Sequence, residues 1–309
     1  MSWTFGSMAV VGAGAVGLYY GARLAAAGED VRFLLRSDFE PVKRNGIRVE
    51  SVAGDLELKG VKAFLTPAEI GPVDLVVLAW KSTSNDRLEE VLRPLLHEGT
   101  QVLTLQNGLG NCERIAGIVG ADRVLGALCF VCINRLSPGR VSHTAGGKIT
   151  VGEFAAGVPG RAKEVARRFS EASIPTVAVG NLAAAQWTKL VWNIPFNGLA
   201  IADGGVTTED LLATEETEDE IRALMAEVIE AARAQGLDLS DELIELNIER
   251  TRPMGAYRPS SMIDFLAGRD VEFEAIWGEP LRRAKAAGVA VPRLERLAER
   301  IQARVFSVR

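Results

Sequence analysis

Histidine and cysteine are scarce. The 309 residues hold two histidines, His97 and His143, and three cysteines, Cys112, Cys129 and Cys132. An odd, sparse cysteine set does not build a disulfide framework and suits a reducing compartment, so a cytoplasmic location is expected. Cys129 and Cys132 form a C-x-x-C, but within the strand-like run 124–133, where residues three apart point to opposite faces. A zinc site would need a second ligand pair, with only His97 and His143 to supply it, so no metal is expected. Positive charge is not in excess either: the net charge is −5, which leaves no broad cationic surface for nucleic acid or anionic lipid. Apolar runs never reach the roughly eighteen residues that a membrane span requires. The opening MSWTFGSMAVV lacks a basic stretch before its apolar residues, so no signal peptide is expected.

What is present is an ordinary globular composition, 48% hydrophobic and 24% charged, in a chain longer than one core usually serves. Two domains are expected. Short β-rich runs at 8–11, 30–36, 75–80 and 101–105 alternate with helical stretches, the pattern of a parallel sheet with crossover helices. The run 141–152, with its glycine pair Gly146 and Gly147, reads as further strand and turn. From about Asn181 the sequence turns Ala-, Glu- and Leu-rich with helical spacing, as in 219–235, 241–251 and 273–287. The acidic cluster 215–220 reads as the solvated start of a helix, where carboxylates face the positive end of the dipole. The fold class is therefore α/β: a Rossmann-type dinucleotide-binding domain over 1–180, then an all-α domain over 181–309.

Gly12, Gly14 and Gly17 spell G-x-G-x-x-G directly after the apolar run Ala9-Val10-Val11 and directly before the helical stretch 15–27. In that setting Gly12 serves the tight turn, Gly14 the close approach of a pyrophosphate, and Gly17 the packing of helix on sheet. Ala15 and Val16 lie at the helix start that faces the phosphates. An enzyme for NAD carries an acid near the end of the second strand; this chain carries Arg36, whose planar fork of donors suits the 2′-phosphate of NADPH. Asp38 is near enough to serve as a ribose acceptor instead. Lys81 and Asn107 follow the third and fourth strand candidates, at the strand ends where open α/β sheets bind ligands.

In the segment 184–197 an apolar helix is interrupted by Lys189, Asn193 and Asn197. Steps of four turn a helix by about 400°, so the three side chains drift only about 40° each and share a face. Such a stripe on a helix otherwise apolar faces either a buried polar network or a ligand cleft. Pro195 removes one backbone donor beside it and is expected to kink the helix.

The ordered landmarks narrow these alternatives. V-V-G-A-G-A-V-G at 10–17, L-L-R at 34–36, Lys81, Q-N-G-L-G at 106–110, W-T-K-L-V-W-N-I-P-F-N at 187–197, S-S-M at 260–262 and V-E-F-E-A at 271–275 resemble the ketopantoate reductase (2-dehydropantoate 2-reductase) family over nearly the whole chain. The resemblance implies NADPH-dependent reduction of 2-dehydropantoate to pantoate, an oxidoreductase step on the way to pantothenate and coenzyme A. It implies that Lys189 donates a proton to the keto oxygen, and that Asn193, Asn197 and Ser261 hold the substrate's carboxylate and hydroxyl. Glu272 would contact the ribose and orient the reacting groups, Asn107 would lie between nicotinamide and substrate, and Lys81 would lie on the cofactor side. Cys132 falls where a small residue lines the nicotinamide.

Thr207 stands where the family carries an asparagine, Asn111 where it carries a hydroxyl, and the interval from S-S-M to Glu272 is a residue short. These departures touch the substrate end and leave open another small branched 2-oxo acid. The rival of a different class is an NADPH-binding regulatory protein without catalysis; Lys189 and Glu272 speak against it. A small-molecule 2-oxo acid is the expected partner, taken in a cleft between the two domains, and a homodimer is compatible with such a chain.

Overall fold

The structure is a computed structural model that describes residues 3–157 and 159–306; the first two residues of the N-terminal stretch read above lie outside it. The chain forms two compact units, 1–106 with 111–182, and 107–110 with 183–309.

Among the described residues the first unit is built on ten strands: β1 (Ser7–Val11), β2 (Asp30–Leu34), β3 (Ile47–Ser51), β4 (Leu56–Leu58), β5 (Lys62–Phe64), β6 (Leu75–Leu78), β7 (Gln101–Thr104), β8 (Val124–Ser137), β9 (Arg140–Glu153) and β10 (Thr176–Val179). They lie in the order β4-β3-β9-β8-β7-β6-β1-β2-β5, with β10 beside β9. From β5 to β8 every pairing is parallel. β6 is apolar throughout, and both β6 and β7 are buried along their whole length, as strands covered on both faces must be. Of the four strands foreseen from the sequence, the first ends at Val11 as expected, while the other three end earlier, at Leu34, Leu78 and Thr104. Register explains it: Val11 pairs with both Leu34 and Leu78, and Leu78 with Thr104, so all four stop on one line. Beyond that line the chain is loop.

The pair Gly146–Gly147 corrects an expectation. It makes no turn; β9 runs unbroken through it, and the β8–β9 ladder shifts register between Phe130 and Val131 opposite it. A glycine pair inside a strand marks a bulge as readily as a turn. The shift falls opposite the span between Cys129 and Cys132, and its extra residue, Gly147, lies in β9. None of the three cysteines is in a disulfide.

The second unit is helical, its core formed around the long helix Leu182–Ala202, whose Trp187, Leu190, Val191, Ile194, Phe196 and Leu199 are buried. The helix is continuous through Pro195. The acidic cluster does open a helix, Glu215–Arg233, capped by the Thr214 side chain, although Glu218 within it is buried against Arg222 and Arg252. The stretch expected as one helix over 273–287 instead begins with a π-helical turn, Glu274–Gly278, and becomes α-helical over Glu279–Ala286. Among the described residues no helix is long and apolar enough to cross a membrane.

Candidate active site

The order of the sheet reverses at β1, which sends the chain to β2 on one side and receives β6 on the other; such a switch is where parallel sheets bind ligands. Gly12 turns the chain there with φ +111, and a Cβ on it would lie 2.5 Å from the Trp80 amide nitrogen. A Cβ on Gly17 would lie 2.0 Å from the Gly12 carbonyl oxygen, so the helix Ala15–Ala26 can start this close to β1 only without one. Gly14, the residue before that helix, differs: nothing lies within 4 Å of where its Cβ would be. The loop is thus packed on its protein side and open at Gly14. The amides of Ala15, Val16 and Gly17, in the first helical turn, have no carbonyl a turn earlier to meet. A loop of this form is able to hold a dinucleotide pyrophosphate.

Arg36, two residues past the end of β2, is exposed. Asp38, its rival as ribose acceptor, is only 2% exposed. Its carboxylate accepts from the Arg135 guanidinium, from the Gly139 amide at 3.2 Å and from the Ser37 hydroxyl at 3.1 Å. A carboxylate so engaged is a structural tie from the second strand's end to the β8–β9 hairpin. Lys81 immediately precedes the short 3-10 helix Ser82–Arg87 after β6. That helix carries Asn85, a residue that sequence reasoning passed over. The Asn85 side-chain oxygen accepts from Trp80 Nε1 at 3.1 Å and from Gln106 Nε2 at 2.8 Å, while its Nδ2 donates to Asn111 Oδ1 at 2.9 Å. Three amides and an indole at these distances form a buried network, and Asn111, the departure noted above, is part of it.

In the second unit the polar stripe comes together as the helical spacing requires. Lys189 Nζ donates to Asn107 Oδ1 at 2.8 Å. One turn on, Asn193 is 8% exposed, and one turn further Asn197 is 1% exposed, its Oδ1 accepting from the Ser261 amide at 2.9 Å. That bond fixes the orientation of the Asn197 amide and makes Nδ2 its donor end. Ser261 is buried near the start of the helix Ser260–Leu266, and Glu272 is buried just ahead of the π turn. Trp277, from that turn, donates through Nε1 to the Ile194 carbonyl at 3.0 Å, so the turn is pinned to the helix that carries the stripe. Thr207 acts locally, as the cap of the short helix Thr208–Leu211, its hydroxyl and amide exchanging hydrogen bonds with Asp210.

The family model described as "Ketopantoate reductase PanE/ApbA" matches residues 8–156, and "Ketopantoate reductase PanE/ApbA C terminal" matches residues 181–305. The chain belongs to the ketopantoate reductase family. A 2-dehydropantoate 2-reductase of Nostoc sp. is 40% identical over 291 residues, covering 93% of this chain and 91% of its own. The crystal structure of a 2-dehydropantoate 2-reductase from Geobacter metallireducens superposes with a TM-score of 0.93 at 46% identity, covering 96% of this chain and 99% of its own. That of the Methylococcus capsulatus protein gives 0.88 at 35% identity, covering 95% of this chain and 94% of its own. The Rossmann-type and helical fold expected from the sequence is the fold of this family. Within it, the glycine loop and the Lys189 stripe are placed by local rules of sequence.

Proposed function

We propose that the chain reduces 2-dehydropantoate to pantoate with NADPH. The observation that carries this reading is the Lys189–Asn107 contact beside the buried set Asn193, Asn197 and Ser261: one ammonium held at a fixed place among neutral donors.

Gly12, Gly14, Ala15, Val16 and Gly17 would hold the pyrophosphate of NADPH, Arg36 its 2′-phosphate, and Lys81, Asn107 and Glu272 its ribose and nicotinamide end. Bound there, NADPH supplies the hydride. The chain's own residues do the rest. Reduction builds negative charge on the keto oxygen, and the Lys189 ammonium neutralises it and delivers the proton. The Asn107 carbonyl oxygen, accepting from Nζ, restrains the lysine before substrate arrives. Asn193, Asn197 and Ser261 bind carboxylate and hydroxyl through amide N–H and O–H groups, which add no second cation to drive the lysine toward its neutral form. Glu272 favours the charged lysine and orients the ribose. Sparse cysteine usage supports work in a reducing cytoplasm, and a net charge of −5 speaks against nucleic acid as a partner.

The test is NADPH oxidation against a panel of 2-oxo acids. 2-Dehydropantoate should give the highest kcat/KM. Equal efficiency with 2-oxoisovalerate or pyruvate would remove the specific substrate and leave the reaction class, and binding of NADPH with no turnover of any 2-oxo acid would remove the enzyme.

A further inference from the structure

The segment Asn107–Gly110 follows β7 in sequence but packs with the helical unit, and a backbone bond from Leu109 holds it there. In the π turn Glu274–Gly278 the Glu279 amide reaches back to the Glu274 carbonyl. By the same spacing the Ala275 carbonyl would need the amide of residue 280, and that residue is Pro280, which has none. The Ala275 oxygen accepts instead from the Leu109 amide at 2.8 Å. The approach requires that Gly108, with φ +81, lack a side chain: a Cβ there would lie 2.1 Å from the same oxygen. Leu109 is buried in the helical core. Asn107, one residue before Gly108, is the acceptor for Lys189, and Trp277 of the same turn pins the Lys189 helix at Ile194.

We propose that the π turn is a template for the proton donor, and that Gly108 and Pro280 are positioning residues that set Asn107 against Lys189 without touching the reacting atoms. This rests on Lys189 being the proton donor. Pro280 frees the Ala275 carbonyl, Gly108 lets the loop reach it, and the loop then carries the Asn107 oxygen to the ammonium. Pro280→Ala restores an amide that competes for Ala275, while Gly108→Ala pushes the loop off.

The experiment compares Gly108→Ala, Pro280→Ala and Lys189→Ala in the full chain, with Gly236→Ala as the control for backbone strain alone. Gly236 also has a positive φ, +78, but nothing within 4 Å of its Cβ position. For Gly108→Ala we expect kcat to fall about ten- to a hundredfold, the scale of a misplacement near 1 Å, with KM for 2-dehydropantoate within about threefold. The alkaline limb of kcat should move to lower pH, because an ammonium that loses a hydrogen-bond acceptor deprotonates more easily. Pro280→Ala should shift kcat and its alkaline limb in the same direction at unchanged thermal midpoint, which settles the matter if Gly108→Ala fails to fold. Wild-type kcat in Pro280→Ala, or a loss in Gly108→Ala no larger than in Gly236→Ala, overturns the template while an inactive Lys189→Ala leaves the proton donor standing. An active Lys189→Ala overturns both.

Discussion

Lys189 and Asn107 are 82 positions apart in the chain and 2.8 Å apart at their polar atoms. An amide oxygen restrains the ammonium without neutralising it, so this contact fixes the side chain while leaving its charge for a substrate.

Replacing Lys189 with alanine should therefore lower kcat by about 10² to 10⁴, the usual contribution of a positioned general acid, with NADPH affinity changed less than about twofold. Rates, a cofactor titration and a thermal melt on the same sample decide it. A structural lysine would show itself by a fallen melting midpoint in place of a lost rate.

Arg36→Ala should weaken NADPH binding by about ten- to a hundredfold, the worth of one charge-assisted contact, and hardly alter NADH. Asp38→Asn should behave otherwise, since its carboxylate is occupied by Arg135 and Gly139. That variant is expected to lose thermal stability and to keep its cofactor preference. A loss of NADH binding in Asp38→Asn would return the ribose to this carboxylate.

Asn197→Ala leaves the buried Ser261 amide without its acceptor. We expect a stability loss of about 1 to 3 kcal/mol, measured by urea unfolding, together with a raised KM for 2-dehydropantoate. Thr207→Ala removes only a helix cap, about 1 kcal/mol, with KM unchanged. A rise in KM in Thr207→Ala would place that side chain on the substrate after all.

His143 gives a pH dependence. Its Nε2 lies 3.0 Å from the Ala145 carbonyl and must carry the proton, so Nδ1 accepts from the Ser51 hydroxyl at 2.8 Å. That hydroxyl in turn accepts from Arg23 and from the Ala53 amide, and the Tyr19 ring packs 4.5 Å from the imidazole. Burial first, and the Arg23 charge after it, push His143 below its ordinary 6.5. The unfolded chain then binds this proton more readily than the folded one, so stability is full above the ordinary value and falls as pH drops through it. Urea midpoints at about pH 7.5 and 5.5 should differ less in His143→Gln than in the parent. An equal difference in both would show that His143 does not titrate with folding.

The parts of the site that were legible in the sequence are those governed by local geometry. The glycine loop shows because no side chain fits at Gly12 or Gly17, and Lys189, Asn193 and Asn197 show because a helix repeats nearly every four residues. Ser261 and Glu272 carry no such periodicity and entered only through likeness to a family. Asp38 remained ambiguous beside Arg36 because its partner, Arg135, lies 97 residues away. Gly146 and Gly147 were misread because a bulge and a turn ask for the same residue. The π turn was read as ordinary helix, since its apolar spacing is helical and only Pro280, at a position where prolines commonly start helices, marked it.

The packing of Leu109 among the helices has a consequence for how this chain can be divided. Residues 1–182 and 183–309 are not two separable cassettes, because four residues from within the first stretch, 107–110, are housed with the second. A gene cut after codon 180 would deliver a helical fragment with a vacancy where Leu109 belongs and a lysine without its asparagine. Exchange of halves between relatives would succeed only where the transplanted helices accept the resident loop.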